Sequence, residues 1–136
     1  MIKEYYVNFE ISKLLKEKGF DWECACINNP QCGMSLLGRM INNTGLQLTR
    51  EADLCIDREN LITIPTLQMA IKWIRESFSL YIDIELLSGP SFSWYIFLMN
   101  DPKYMMGCSE DTTIHYYNSY EEACEAAIKY CLENLI

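Results

Sequence analysis

The most regular pattern in the chain is the alternation of apolar and polar positions between residues 80 and 98. Leu80, Ile82, Ile84 and Leu86 share one side of an extended run, opposite Tyr81, Asp83 and Glu85. Phe92, Trp94, Ile96 and Leu98 repeat the pattern against Ser93, Tyr95 and Phe97. A period of two is that of a strand with one face in a core, so both runs are predicted strands of one hairpin. A slip of one residue would turn every apolar side chain to the wrong face, which demands an odd number of loop residues. A loop of Ser88, Gly89 and Pro90 pairs Leu86 with Phe92, Ile84 with Trp94 and Ile82 with Ile96, and sets Asp83 beside Tyr95. A five-residue loop is the other solution.

Three segments carry the helical period instead. Val7, Ile11, Leu14 and Leu15 form a stripe bounded by Asn8 as a cap and by Gly19, which suits the left-handed residue that ends a helix. Leu67, Ala70, Ile71, Ile74 and Phe78 follow Pro65 and Thr66, leaving Gln68, Lys72, Arg75 and Glu76 for solvent. Tyr120, Ala123, Cys124, Ala127, Ile128, Cys131, Leu132 and Leu135 make a third stripe behind a Ser119–Glu122 capping box. Thr112 to Tyr117 is expected to be a further strand, from its Thr, Ile and Tyr content, with Asn100 to Gly107 as a loop. Residues 21–64 hold turn clusters at Asn28-Asn29-Pro30 and Asn42-Asn43-Thr44-Gly45. Between them, residues 23–27, 35–41, 46–49 and 61–64 are each expected to be short strands. The fold expected is a single α+β domain over residues 1–136. It has an antiparallel sheet of three or more strands with about three helices packed on it, including an αβββα unit in residues 66–136.

At 136 residues and 50% hydrophobic, the chain can bury a core without staples. Its net charge of −8 is uneven: the first 50 residues sum to +1 and the rest to −9. That argues against direct nucleic-acid binding, which needs clustered Lys and Arg, and against anionic membrane surfaces. The αβββα order is shared with the double-stranded RNA-binding domain, but residues 101–136 hold seven acidic and two basic side chains. The final helix therefore cannot line a phosphate rim. No apolar run has the length of a signal peptide or a membrane span, so a cytoplasmic location is expected.

Candidate chemistry is sparse. Of seven cysteines, Cys124 and Cys131 fall on the apolar stripe of the last helix and read as core. Cys24, Cys26 and Cys32, with His115, Cys55 or Cys108 as a fourth ligand, are weak candidates for a zinc set. Their C-x-C-x5-C spacing is not that of paired C-x2-C knuckles, and no cofactor is implied. His115 is the lone histidine and has no recognisable nucleophile or orienting partner. Asp83, Glu85, Glu110 and Asp111 could pair as carboxylates, yet no P-loop, dinucleotide fingerprint or metalloprotease motif accompanies them. The mixed hairpin face of Tyr81, Asp83, Glu85, Tyr95 and Phe97 is the candidate partner surface, because exposed aromatics mark contact sites.

Three stretches carry a resemblance: Phe9-Glu10-Ile11 through Asp21, Pro65-Thr66-Leu67 through Glu76, and Tyr120-Glu121-Glu122 through Ile136. They resemble an uncharacterised group of short proteins encoded by gut Bacteroidetes and their phages or mobile elements. The resemblance covers roughly a third of the chain, implies a bacterial or phage lineage, and brings no activity and no site. The expected function is that of a small non-enzymatic binding or regulatory protein, acting on a protein partner or by self-association. The alternatives are an acidic nucleic-acid mimic that inhibits a host or defence enzyme, and a small Cys/His metal-binding protein.

Overall fold

The structure is a computed structural model that describes residues 5–22, 24–27, 47–48 and 62–136. The chain divides into two compact units, Met1–Thr66 and Leu67–Ile136, although the hydropathy pattern alone marks no boundary there.

In the first unit, α1 spans Phe9–Glu17. Asn8 caps it, its side-chain oxygen accepting from the Ile11 N–H at 2.8 Å. At the other end Phe20 N–H donates to the Leu15 carbonyl (2.9 Å) and Gly19 N–H to that of Lys16 (3.2 Å). Gly19 has φ +92, so this is the six-to-one, five-to-two closure that a left-handed residue permits. Val7, Ile11, Leu15 and Phe20 are buried, as the stripe requires. Strands β1 (Ala25–Ile27), β2 (Gln47–Leu48) and β3 (Ile62–Thr63) form an antiparallel sheet in the order β2-β1-β3. They fall within three of the four segments expected to be extended. The fourth, 35–41, lies outside the described residues.

The second unit runs α2 (Leu67–Phe78), β4 (Leu80–Leu86), β5 (Phe92–Leu98), β6 (Asp101–Cys108) and α3 (Tyr120–Tyr130). This is the αβββα order, with a short 3-10 turn at Ser109–Asp111 and a π-helical turn at Cys131–Leu135 after α3. Ser79 stands at φ +57 between α2 and β4, which lets the chain pass from helix to strand in one residue. The sheet is antiparallel in the order β4-β5-β6. The β4–β5 register pairs Leu86 with Phe92, Ile84 with Trp94, Ile82 with Ile96 and Asp83 with Tyr95, as the alternation demands. Leu87 N–H donates to the Ser91 carbonyl at 2.8 Å, closing the three-residue loop around Gly89, whose φ is +74.

The third strand is not where β-propensity puts it. Residues 101–108 form β6, while 112–117 is irregular, with one bridge in which Tyr117 and Phe92 exchange both backbone hydrogen bonds at 2.7 Å. Pro102 is tolerated because β6 is an edge strand, with no neighbour among the described residues to receive its missing N–H.

The core lies on one side of this sheet. Leu80, Ile82, Trp94 and Ile96 are buried, as are Leu67, Ala70, Ile71, Trp73 and Ile74 of α2. Ala123, Cys124, Ala127, Ile128, Cys131 and Leu132 at the C-terminal end of the chain are fully buried. α2 packs on β4, and α3 packs on β4 and β5. The rings of Trp94 and Tyr130 lie 5.0 Å apart. Ser119 Oγ accepts from the Glu122 N–H at 3.1 Å, and the Glu122 carboxylate accepts from Asn118 N–H at 3.3 Å. The predicted cap is therefore present with its return bond displaced by one residue.

Candidate interaction face

Because strand side chains alternate, burying the even-numbered positions of β4 and β5 under the helices turns the odd-numbered ones outward. Tyr81 sits directly across from Phe97, Asp83 from Tyr95 and Glu85 from Ser93. All five residues expected at a partner surface thus share one face. Tyr81, Asp83 and Glu85 are exposed, Tyr95 and Phe97 are half-buried, and Ser93 is buried, as is Cys108 of β6, which pairs with Tyr95. The Tyr95 and Phe97 rings stack at 6.4 Å with 27° between their planes. Met105 of β6 pairs with Phe97 and keeps 49% of its surface, extending the apolar area across a third strand.

At one end of the face Tyr81, Phe97, Leu98, Met99 and Pro102 line an apolar cup of about 320 Å³. Met99 escapes the sequence pattern because it follows the last residue of the alternation, and Pro102 and Met105 because their segment reads as a loop. The one available signal is its two methionines and a tyrosine at positions 104–106, which are unusual content for a solvated turn.

A second depression of about 420 Å³ lies between the 3-10 turn, the 112–117 segment and α3, with Asp111, Thr113, Lys129, Tyr130 and Glu133 in its walls. Several of its polar groups are engaged. Asp111 Oδ2 accepts from Cys108 N–H (3.1 Å) and from the Tyr130 hydroxyl (3.4 Å), and Lys129 pairs with Glu133 at 3.8 Å. Burial, then the Asp111 carboxylate, holds the Tyr130 phenol above its ordinary value. Glu110 and Asp111 belong to this turn, whereas Asp83 and Glu85 belong to β4. His115 is exposed on the 112–117 segment.

The cysteine candidates separate. Cys124 and Cys131 are fully buried, and burial pushes their thiols up to about 11 and about 12. Neither is a nucleophile near neutral pH. Cys24 is buried in the first unit, the Cys26 backbone lies on β1, and Cys32 and Cys55 lie outside the described residues. Among the described residues, no three of His, Cys, Asp and Glu converge as a ligand set. Nor is any described helix long and apolar enough to cross a membrane.

Comparison of the chain with protein-family models, curated proteins and solved structures finds no match.

Proposed function

We propose that this chain is a non-enzymatic protein-binding module. Its ligand is a protein segment that presents cationic side chains beside an apolar one. The observation that carries this reading is the side of β4 and β5 turned away from the helices, exposed at Tyr81, Asp83 and Glu85. There Asp83 and Glu85 stand among Tyr81, Tyr95 and Phe97, and the 320 Å³ cup at the end of the face offers a seat for one apolar anchor. Charge supports a cationic partner: residues 67–136 hold ten acidic and four basic side chains, a net −6. A second copy stacked face to face would bring carboxylates against carboxylates, so self-association through this face is disfavoured.

The acidic nucleic-acid mimic is the weaker reading. Asp83 and Glu85 occupy this face, whereas Glu121, Glu122 and Glu125 belong to α3, which packs on the other side of the sheet. A mimic needs one continuous strip of charge.

The test is selection of a randomised peptide-display library on the full chain. Enriched peptides are expected to carry Lys or Arg next to Leu, Met or an aromatic residue. Their affinity should fall about tenfold or more in Asp83→Lys and in Phe97→Ala, the scale of a central contact, and hold in Glu121→Lys. A selection that enriches nothing, or peptides that bind all three variants alike, would overturn the proposal.

A further inference from the structure

The two edges of the β4-β5-β6 sheet are built differently. β6 has the devices that keep an edge from pairing: Pro102, Lys103 and two register shifts against β5, between Ile96 and Phe97 and between Phe97 and Leu98. β4 has no proline, no lysine and no bulge, and its seven residues pair with β5 in unbroken register. Among the described residues, no strand lies on its outer side.

Which backbone groups point outward follows from the ladder. Met99 N–H donates to the Ser79 carbonyl and Leu87 N–H to the Ser91 carbonyl, each at 2.8 Å. Hydrogen-bonded and non-bonded pairs alternate along antiparallel strands, so Tyr81, Asp83 and Glu85 turn their backbone groups to β5. The N–H and C=O groups of Leu80, Ile82, Ile84 and Leu86 then face away from β5, toward the outer edge of the sheet. The side chains of the same stretch are divided in the complementary way. Tyr81, Asp83 and Glu85 stand on the acidic face, while Ile84 is half-buried and Leu86 keeps 66% of its surface on the helical side. α2 packs on the same side of β4.

We propose that the β4 edge accepts an added antiparallel strand from a partner segment that alternates aliphatic and cationic residues. The aliphatic residues sit opposite Leu80, Ile82 and Ile84, exchange backbone hydrogen bonds with them and extend the apolar layer beside Ile84 and Leu86. The cationic residues sit opposite Asp83 and Glu85, where cross-strand pairs of opposite charge stabilise. A second copy of β4 is a poor occupant. Such a copy offers Asp83 and Glu85 no cation: a two-fold axis on Asp83 sets it against itself, one on Ile84 sets Asp83 against Glu85, and one on Ile82 sets Asp83 against Tyr81. This inference rests on the protein-binding reading and adds to it the geometry and chemistry of the ligand.

The test uses the full chain and a blocked heptapeptide, Val-Lys-Val-Lys-Val-Lys-Val, followed by amide resonances and hydrogen exchange. Binding is expected to slow exchange about tenfold or more at the amides of Ile82 and Ile84, with no added protection at Asp83 and Glu85. N-methylation of the valine amides should abolish binding, and N-methylation of the lysine amides should leave it. A peptide that binds equally in both methylated forms, with shifts at Tyr81 and Phe97, would overturn strand addition and leave the face as a docking site. No response at either set overturns both. Protection of Ile82 and Ile84 that grows with protein concentration in the absence of peptide identifies a second copy as occupant and also overturns the assignment.

Discussion

Gly107 shows how a single absent side chain sets the packing of a helix on this sheet. The Tyr130 ring lies so close that a Cβ at Gly107 would stand 2.5 Å from Cε1 and 3.1 Å from Cζ. The requirement is one of space, since Gly107 is not among the residues with positive φ. The same ring contacts Trp94 at 5.0 Å and its hydroxyl reaches Asp111, so it has little freedom to withdraw. Gly107→Ala should therefore lower stability by about 1–3 kcal/mol, the usual penalty for overpacking. Urea unfolding would read it. In a Tyr130→Leu background the added methyl has room, and the penalty should shrink below about 1 kcal/mol. An equal loss in both backgrounds would show that the ring is not the cause. The buried thiols belong to the same level of argument: Cys124 and Cys131 fill volume under the sheet, and their raised ionisation follows from that position.

Elements were readable in the sequence where two independent signals agreed. In β4 and β5 the alternation demands an odd loop, the Ser88-Gly89-Pro90 turn supplies one of three residues, and the residue pairs follow that register without exception. For α1, Asn8 and Gly19 mark the ends and the stripe of Val7, Ile11 and Leu15 fills the interval. β6 was hidden because its signals conflict. Pro102 and Gly107 read as breakers, yet an edge strand with bulges accommodates both, and Thr112–Tyr117 has strand composition without a sheet position. That one conflict removed Pro102 and Met105 from the expected partner surface, while Tyr81, Asp83, Glu85, Tyr95 and Phe97 were all available from alternation alone. α3 carries a prediction of its own. Burial first, then the charges of Glu122 and Glu121, raises the carboxyl of Glu125 above its ordinary value of 4.5. The native state thus holds this proton more tightly than the unfolded chain, so stability falls as pH rises from about 4.5 through the raised value. Glu125→Gln should stabilise at pH 7 by about 0.2–0.5 kcal/mol for each like-charge pair removed, and should gain nothing near pH 4. Denaturant titrations at the two pH values would check it, and an equal gain at both would exclude ionisation as the source.

In the whole molecule, charge and chemistry are concentrated in the same part of the chain. Residues 67–136 carry −6 of the −8, the acidic–aromatic face, the apolar cup and the β4 edge, beside which no strand lies among the described residues. They also form a compact unit with its own buried residues, including Ile74, Trp94, Ile96, Ile128 and Leu132. A segment of about 70 residues is near the lower limit for a single core, because the fraction of surface buried falls with size. Two features offset this. The hairpin contacts are local in sequence, and both helices are amphipathic with a fully apolar inner side. A fragment of residues 67–136 should therefore fold alone and unfold cooperatively, with a stability of about 3–5 kcal/mol. Its only tryptophans are Trp73 and Trp94, both buried, so fluorescence during urea unfolding reports on this core directly. Cross-strand proton contacts between Ile82 and Ile96 would verify the register. A fragment with no cooperative transition would mean that these residues are not an independent folding unit. A folded fragment that keeps the peptide affinity of the full chain would place recognition on the αβββα unit by itself, because every group assigned to the face and the edge lies within it.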